Sequence, residues 1–458
     1  MPTKPEASSP TTSGSPVINA TNFAETAKAL RASSDAGLDV RYRMRGGKAL
    51  QGTVDIGGSK NAALPLMAGA VASGGTTVFN NVPSLRDTRT MISILNFLGA
   101  VTHTDGTTVT IDSSALVNRP IPHELVSKLR GCIVFLGPLL ARFGEVEMAY
   151  PGGCVLGKRP VAAHIDAFVQ MGAQDLSTDE KLHLKGVLRP SHVILPEFSV
   201  TATENVVLAA SLVEGDTTIE LAAAEPHVQD VCKFVQARGR TVDGIGSHTL
   251  TIHGKKDLLL SGEHTVTPDY LEAGVFILAG IVTRGSVRVR GADRSHLTSF
   301  LGALKRAGAV VELEKNGDIV ARGDLSDLKA VRIQTNIFPG FPTDLQAPFG
   351  VLLTQAQGVS RIFEVLFDGR MAYLYELEKM GATIEILNSH EAIVIGPSEL
   401  SGRTVASNDI RAGAGMVLAG LVAKGETVIT DVRYIERGYD RLEEKLKALG
   451  ADIVREEA

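Results

Sequence analysis

Two kinds of chemistry are possible in the eight residues GGCVLGKR, which run from Gly152 to Arg159. The positions of Gly157 and Lys158 match the spacing of a phosphate-binding P-loop, but Arg159 stands where that loop needs Ser or Thr to hold magnesium. Because no strand-then-helix pattern surrounds the motif, we exclude a Walker nucleotide site. The second possibility is a reactive thiol at Cys154, since a glycine-flanked loop with cations close by in sequence stabilises a thiolate.

The chain has three cysteines, and the other two, Cys132 and Cys232, lie within helical patterns, where a free thiol is usually buried and inert. The odd count and the lack of C-x-x-C spacing predict a reduced compartment and no disulfide framework. The sequence has no zinc-ligand pattern of Cys and His and none of the motifs G-x-G-x-x-G, G-x-S-x-G or H-E-x-x-H.

Three cations, Lys60, Arg130 and Arg411, lie where apolar helices are predicted to begin. A cation at a helix N-terminus is electrostatically unfavourable unless an anion lies between the two, and free backbone N–H groups together with a cation form a phosphate site. Any one of these cations alone is best explained as a solvated side chain, but their recurrence at one position favours an anion site. Acids at that position have an ordinary explanation as helix caps or first-turn residues. They are Glu204, Asp269, Asp344 and Asp409.

These helices belong to an internal repeat that occurs six times after Tyr42. Each unit has an apolar helix of small residues, a turn, a strand, and a second, amphipathic helix that closes on a glycine before another strand. The period of about 70 residues exceeds the roughly 20 to 50 of a solenoid unit, so each unit is predicted to be a small α/β subdomain. The apolar helices begin near Lys60, Arg130, Thr203, Asp269, Asp344 and Asp409.

Composition excludes several classes of protein. The chain of 458 residues has 46 Lys and Arg against 51 Asp and Glu, and this net charge of −5 argues against a nucleic-acid-coating or membrane-surface protein. Its apolar runs, such as Ala273 to Val282, are far shorter than the roughly 18 residues of a membrane span. Residues 1–40 are rich in Ser, Thr, Pro and Ala without an apolar period, which predicts a disordered tail and no secretory signal.

Five stretches, in order from about Tyr42 to the C-terminus, resemble the enolpyruvyl transferases, and in particular the UDP-N-acetylglucosamine 1-carboxyvinyltransferases. The PGGC and SKNAALP motifs are the most specific of these similarities. The stretches are GGSKNAALPLMAGAVASGG from Gly57, LGPLLARFG from Leu136, PGGCVLGKRPV from Pro151, FPTDLQA from Phe341 and ERGYDRLEEKL from Glu436.

The resemblance implies an α/β fold, a two-lobed inside-out α/β barrel built from six βαβαββ-type repeats, with the active site in the cleft between the lobes. We accordingly expect residues 41–60 and 269–458 to form lobe 1 and residues 61–268 to form lobe 2. The implied reaction moves the enolpyruvyl group of phosphoenolpyruvate to the 3-hydroxyl of UDP-N-acetylglucosamine through a tetrahedral intermediate and releases phosphate.

This reaction would be the first committed step of peptidoglycan precursor synthesis, and so part of cell wall biogenesis, on which cell shape, the cell cycle and cell division depend. The resemblance implies a cytoplasmic enzyme with two small-molecule substrates and no metal or prosthetic group. It implies no nucleic-acid or membrane partner, and the oligomeric state is left open.

The resemblance also assigns roles to individual residues. Cys154 resembles the proton donor, a thiol that can form an adduct with phosphoenolpyruvate and that fosfomycin alkylates. Asp344 is the leading candidate for the base at the sugar hydroxyl, and Asp409 matches a second acid proposed for proton transfer. Phosphoenolpyruvate is expected to contact Lys60, Asn61, Arg159, Arg370, Arg411 and Arg437, of which Arg370 and Arg411 take the carboxylate and Lys60, Arg159 and Arg437 the phosphate. The UDP-sugar is expected to contact Asn61, Arg130, Arg159, Pro160, Val161, His164, Ser199, Val200, Asp344 and Leu366.

Three departures from the family pattern lie on the acceptor side or close to it. Ala162 replaces an acid, Thr201 replaces a glycine and Tyr270 replaces an arginine. Two alternatives therefore stay open. One is 3-phosphoshikimate 1-carboxyvinyltransferase, which shares the fold and the donor but lacks the PGGC loop. The other is a non-catalytic UDP-sugar-binding paralogue.

Overall fold

A computed structural model describes residues 40–152 and 161–457, so the predicted tail, apart from Val40, lies outside the described residues. The strands are β1 Val40–Arg45, β2 Gln51–Asp55, β3 Thr76–Asn80, β4 Val101–Asp105, β5 Thr108–Asp112, β6 Glu145–Ala149, β7 Gln174–Asp175, β8 Lys181–Lys185, β9 His192–Ile194, β10 Gly215–Glu220, β11 Thr241–Asp243, β12 Thr249–Gly254, β13 Gly262–Thr265, β14 Ser286–Arg290, β15 Val310–Leu313, β16 Ile319–Arg322, β17 Arg332–Gln334, β18 Gly358–Phe363, β19 Thr383–Asn388, β20 Glu391–Gly396, β21 Thr404–Ala406, β22 Glu426–Thr430 and β23 Asp452–Glu457.

The α-helices are α1 Lys60–Gly69, α2 Arg86–Phe97, α3 His123–Val126, α4 Leu136–Phe143, α5 Ala162–Gln170, α6 Val200–Ala210, α7 Pro226–Gln236, α8 Tyr270–Val282, α9 Thr298–Arg306, α10 Gln346–Gln355, α11 Tyr373–Lys379, α12 Ile410–Val422 and α13 Leu442–Ala448. Short 3₁₀ helices span Ala70–Ala72, Arg130–Phe135, Arg294–Leu297, Thr343–Leu345, Arg370–Ala372 and Val432–Arg437.

The sequence repeat corresponds to a recurring small sheet. Five of the six sheets within the described residues have four strands, in which one parallel pair is extended on one side by two antiparallel strands. The sixth sheet contains β6, β8 and β7, and an isolated parallel bridge between Ile121 and Met148 stands in the place of its fourth strand. The predicted α/β fold of six βαβαββ-type units is confirmed.

The sheets fall into two groups along the sequence. Strands β1, β2 and β14 to β23 form three sheets, and strands β3 to β13 form the other three. The sheet of the sixth unit takes one strand from the start of the described chain, because β1 lies between β22 and β23 and pairs antiparallel with both. We propose that the two groups of sheets are the two lobes, with the boundaries at residues 60 and 268 still a prediction.

The two chain segments that join the groups lie side by side. The backbone N–H of Ser59 donates to the carbonyl of Thr267 at 2.8 Å, and that of Asp269 donates to the carbonyl of Gly57 at 2.9 Å. Gly58 and Pro268 form an antiparallel bridge between these bonds. This ladder places the first residue of α1, Lys60, beside the start of α8.

The apolar helices form the interior, as their composition predicts. Every residue of α8 is buried, and its N-cap Asp269 accepts hydrogen bonds from the backbone of Leu271 at 2.8 Å and of Glu272 at 3.2 Å. Small residues let neighbouring helices approach closely. A Cβ atom added at Gly274 would lie 2.6 Å from Cδ1 of Leu345, so a larger residue there would move the segment before α10.

Each second helix ends on a glycine in the left-handed region, with φ between 78° and 101°. This confirms the predicted glycine stops, and the six glycines give a common reference position for aligning the six units. The glycines are Gly99, Gly172, Gly239, Gly308, Gly381 and Gly450.

Candidate active site

Most of the ionisable residues predicted at helix starts are found there. Lys60 is the first residue of α1, Arg130 begins a 3₁₀ helix that leads into α4, and Asp409 is the N-cap of α12. Glu204 is an exception, because α6 begins at Val200 and places Glu204 inside the helix and completely buried. Its alignment with the other helix starts was therefore wrong by one turn.

Asp344 and two arginines form a first buried ion cluster. One carboxylate oxygen of Asp344 accepts a hydrogen bond from Arg370 Nη2 at 2.8 Å, and the other accepts one from Arg411 Nε at 3.0 Å. Both arginines are 4% exposed. The two side chains predicted to hold a substrate carboxylate thus already hold a carboxylate from the protein itself.

The second predicted acid, Asp409, lies at the edge of this cluster. Its Oδ1 accepts hydrogen bonds from the backbone N–H groups of Arg411 at 2.7 Å and Ala412 at 2.9 Å, as a helix cap does. The same oxygen lies 3.9 Å from Arg370 Nη1. Asp409 therefore fixes the start of α12, from which Arg411 projects toward Asp344.

A second buried ion cluster contains two of the predicted phosphate ligands. Oδ2 of Asp87 lies 3.4 Å from Lys60 Nζ, and Oδ1 lies 3.1 Å from Arg437 Nε. Burial lowers the pKa of Lys60, the negative charge of Asp87 opposes this, and the charges of Arg411 and Arg437 lower it further. Since Arg411 belongs to the first cluster, the two clusters are close enough for their charges to interact.

Asp269 connects the clusters electrostatically. Its carboxyl group is 5% exposed, and burial raises its pKa, whereas the positive charges of Arg411 and Lys60 lower it. Asp269, Lys60 and Tyr439 also line a small cavity of about 10 Å³ at the crossing between the two groups of sheets.

The loop that carries Asp344 is held by a buried acid that the sequence analysis missed. Glu364, at 0% exposure, accepts a hydrogen bond from Thr343 Oγ1 at 2.8 Å through Oε2. Its Oε1 accepts from the backbone N–H groups of Leu366 at 2.9 Å and Phe367 at 3.3 Å. One carboxylate thus ties the loop before Asp344 to the loop before Arg370, and it positions Leu366, a predicted UDP-sugar contact.

Four of the predicted acceptor residues, Val161, His164, Ser199 and Val200, lie in or directly before α5 and α6. His164, in α5, is 3% exposed, and a hydrogen bond of 2.9 Å joins its Nε2 to Thr201 Oγ1 in α6. Burial lowers the pKa of His164 to about 4, and the nearby charge of Arg130 acts in the same direction. The side chain that departs from the family glycine therefore contacts a residue predicted to bind the UDP-sugar.

The remaining predicted contacts of the UDP-sugar occupy helix starts. Ser199 is the N-cap of α6, and its hydroxyl accepts a hydrogen bond from the backbone of Ala202 at 3.4 Å, with Val200 as the first helical residue. Val161 precedes α5 directly, and Asn61 is the second residue of α1. The first turn of a helix has backbone N–H groups without intrahelical acceptors, and such a position suits an anionic ligand.

The predicted proton donor Cys154 and the predicted ligands Arg159 and Pro160 lie outside the described residues. The other two thiols are both described and both buried. Burial raises the pKa of Cys232 to about 12 and raises that of Cys132 as well, which matches their prediction as inert thiols.

Asp87 and Glu364 are buried acids of the candidate site that the sequence analysis did not identify. Asp87 lies in the first turn of α2, at 2% exposure. The sequence repeat could have identified it, because Asp87 lies twelve residues before the glycine stop of its helix. Arg370 and Arg437 lie eleven and thirteen residues before the glycine stops of their own helices. Glu364 follows the end of β18 and has no comparable signal.

The family EPSP synthase (3-phosphoshikimate 1-carboxyvinyltransferase) matches residues 44–446. A UDP-N-acetylglucosamine 1-carboxyvinyltransferase of Magnetococcus marinus is 42% identical over 414 residues, covering 90% of this chain and 98% of that protein. A protein of the same name from Shewanella amazonensis is 42% identical over 420 residues, covering 91% and 99%.

Solved structures give the same picture of the fold. The enolpyruvyl transferase NikO from Streptomyces tendae superimposes with a TM-score of 0.84 at 25% identity, covering 92% of this chain and all of that one. EPSP synthase from Acinetobacter baumannii gives a TM-score of 0.72 at 19% identity, again covering 92% of this chain, and this likeness concerns the fold alone.

Proposed function

This chain belongs to the enolpyruvyl transferase family, and we propose that it transfers the enolpyruvyl group of phosphoenolpyruvate to the 3-hydroxyl of UDP-N-acetylglucosamine. The relatives with 42% identity over about nine-tenths of the chain carry the name of that activity. The observation that supports it most directly is the pair of buried ion clusters. Each holds one carboxylate between two cations, as an enzyme for a donor with one phosphate and one carboxylate requires.

In this proposal the two anionic groups of phosphoenolpyruvate displace the carboxylates of Asp87 and Asp344 from their cations. The phosphate of phosphoenolpyruvate would take the place of Asp87 between Lys60 and Arg437, with Arg159 as a further ligand. Its carboxylate would take the place of Asp344 between Arg370 and Arg411, whose planar guanidinium groups suit a bidentate anion. The buried positions of Lys60, Arg370 and Arg411 keep water away and strengthen their effect on charge that develops during the reaction.

The release of Asp344 from its two arginines would make its carboxylate available to the acceptor. Asp344 would then take the proton of the sugar 3-hydroxyl as its oxygen bonds to C2 of the donor, while Cys154 would deliver a proton to C3. Elimination then breaks the C2–O bond to phosphate and removes a proton from C3, which restores the C2–C3 double bond and leaves the enolpyruvyl ether on the sugar. Asp409 would assist proton transfer from its position near Arg370.

The physiological setting follows from the proposed reaction. We propose that the enzyme acts in the cytoplasm in the first committed step of peptidoglycan synthesis and so contributes to cell wall biogenesis, cell shape and cell division. The described residues contain no helix that is long and apolar enough to cross a membrane. Chemistry of this type depends on positioned acids, bases and cations, and we propose that no metal or prosthetic group takes part.

Phosphate release from phosphoenolpyruvate tests the proposal directly. The purified protein would be assayed with UDP-N-acetylglucosamine, with shikimate 3-phosphate and without acceptor. We expect release with UDP-N-acetylglucosamine alone. Release with shikimate 3-phosphate would assign the chain to the sister activity, and binding of UDP-N-acetylglucosamine without release would indicate a non-catalytic paralogue.

A further inference from the structure

The second helix of each of the six repeats is preceded by one chemistry-bearing residue at nearly the same position. This residue lies eleven to thirteen places before the glycine stop, and the five that the structure describes lie at the start of the helix or in the turn that leads into it. In repeat order the residues are Asp87, Arg159, His227, His296, Arg370 and Arg437.

Four of these residues already have a place in the proposed donor site. Arg370 and Arg437 belong to the two ion clusters, Asp87 is the acid of the second cluster, and Arg159 is a predicted phosphate ligand. Equivalent positions in the other two repeats hold His227 and His296. His227 and His296 thus occupy the repeat position that holds donor-site residues in the other four repeats, and they have no role in the proposed mechanism.

Both histidines are buried and carry a ring nitrogen without a partner. His227 is 6% exposed, and the side chain of His296 is 8% exposed. Among the described residues, Nδ1 of neither ring has a hydrogen-bond partner. A buried polar atom of this kind lowers stability unless a ligand or water satisfies it. Nε of Arg370, a predicted donor ligand, is buried and unpartnered in the same way.

Tyr270 completes the cluster, which lies beside Asp344. The rings of Tyr270 and His296 meet edge to face, with 6.3 Å between centroids and 74° between planes. Burial lowers the pKa of His227 to about 4 and lowers that of His296, while it raises the pKa of Tyr270, so all three are uncharged near neutral pH. The charges of Asp344 and Arg411 act on both His227 and Tyr270.

Three uncharged rings, of which the two histidines each have an unpartnered nitrogen, suit the hydroxyl and amide groups of a sugar better than a phosphate or a carboxylate. We infer that His227, His296 and Tyr270 form the subsite for the sugar ring of the acceptor, in which Nδ1 of each histidine hydrogen-bonds the sugar. This inference rests on the proposed function and extends it, because it assigns the sugar to residues beside the candidate base. It also gives a role to Tyr270, which departs from the family arginine.

Calorimetric titration with UDP and with UDP-N-acetylglucosamine separates the sugar from the nucleotide. We expect His227→Leu and His296→Leu each to weaken UDP-N-acetylglucosamine binding about tenfold, the loss expected for one hydrogen bond, while UDP binding is unchanged. His227→Asn, which keeps an amide near the position of Nδ1, should retain more sugar affinity than His227→Leu. The exposed His103 provides the matched control, His103→Leu, which should change neither affinity.

Equal weakening of UDP and UDP-N-acetylglucosamine, or no weakening of either, would overturn the subsite. If His227→Leu does not fold, the affinities of His227→Asn and His296→Leu for UDP and UDP-N-acetylglucosamine are judged by the same criterion. Phosphate release by the unaltered protein tests the proposed function separately. Turnover together with unchanged affinity ratios in the variants would reject the subsite alone. Absence of phosphate release with UDP-N-acetylglucosamine, together with equal affinity of the unaltered protein for UDP and UDP-N-acetylglucosamine, would reject both the proposed function and the subsite.

Discussion

Asp87 Oδ1 accepts a hydrogen bond from Arg437 Nε at 3.1 Å, although the two residues are 350 positions apart in the sequence. The bond joins a helix start in one group of sheets to a 3₁₀ helix in the other. Because Lys60 contacts the other oxygen of the same carboxylate, Asp87 neutralises two cations that the proposed reaction needs for phosphate.

Replacement of Asp87 by Asn should destabilise the ligand-free protein by about 3 kcal/mol, because the buried Lys60 and the partly buried Arg437 lose the carboxylate between them. Phosphoenolpyruvate or inorganic phosphate should restore much of this loss, since either ligand supplies the missing negative charge. Scanning calorimetry should therefore show a larger ligand-induced rise in Tm for Asp87→Asn than for the unaltered protein. The exposed Asp179 gives the control Asp179→Asn, and equal ligand-induced shifts in both variants would contradict the prediction.

Replacement of Arg437 by Ala should weaken phosphoenolpyruvate binding by about 1.5 to 3 kcal/mol, which corresponds to about tenfold to 150-fold in Kd. UDP-N-acetylglucosamine binding should be unaffected. Arg433 lies on the same 3₁₀ helix with its side chain 64% exposed, so Arg433→Ala is a matched control that should leave donor binding unchanged. Isothermal titration of the donor measures both variants, and equal donor affinity in the two would count against a phosphate contact by Arg437.

The buried histidine of the acceptor set predicts a pH dependence of stability. The pKa of His164 is lowered from 6.5 to about 4 in the folded protein, so between these values the unfolded chain binds a proton that the folded protein does not. The contribution of His164 to the free energy of unfolding is therefore fully present above about pH 6.5. It falls by up to about 1.4 kcal/mol per pH unit as the pH decreases toward 4.

Urea unfolding of the unaltered protein and of His164→Asn between pH 4 and pH 7 measures this contribution. The variant should lose less stability than the unaltered protein over this range. The exposed His103→Asn serves as the control and should follow the unaltered protein. Parallel curves for the unaltered protein and His164→Asn would show that His164 titrates normally.

Fosfomycin should modify Cys154 and neither of the other two thiols. Cys132 and Cys232 are both 0% exposed, and burial raises the pKa of each, so their thiolates are rare and inaccessible. Peptide mapping after treatment should place the label on the peptide that contains Cys154, and Cys154→Ser should remain unlabelled. A label on Cys132 or Cys232 in the folded protein would refute the assignment.

The sequence alone determined the repeating architecture. Six apolar helices rich in small residues, each followed by a helix with a glycine stop, predict six small α/β units because helix periodicity and glycine conformation are local properties. The motifs also identified Lys60, Arg370, Arg411 and Arg437, and the structure brings all four into two ion clusters. Type and position along the repeat singled out Lys60 and Arg411, whereas Arg370 and Arg437 were identified through the resemblance to the enolpyruvyl transferases.

The tertiary structure alone decided which charges meet. Asp87 between Lys60 and Arg437, Asp344 between Arg370 and Arg411, and Glu364 between two loops are contacts across long sequence separations, so no local pattern encodes them. The energy of such contacts depends on distance and burial, both of which arise only when the six units pack together. For the same reason, sequence alone could not distinguish His227 and His296 from ordinary core histidines. Only folding buries Nδ1 of these two rings without a hydrogen-bond partner.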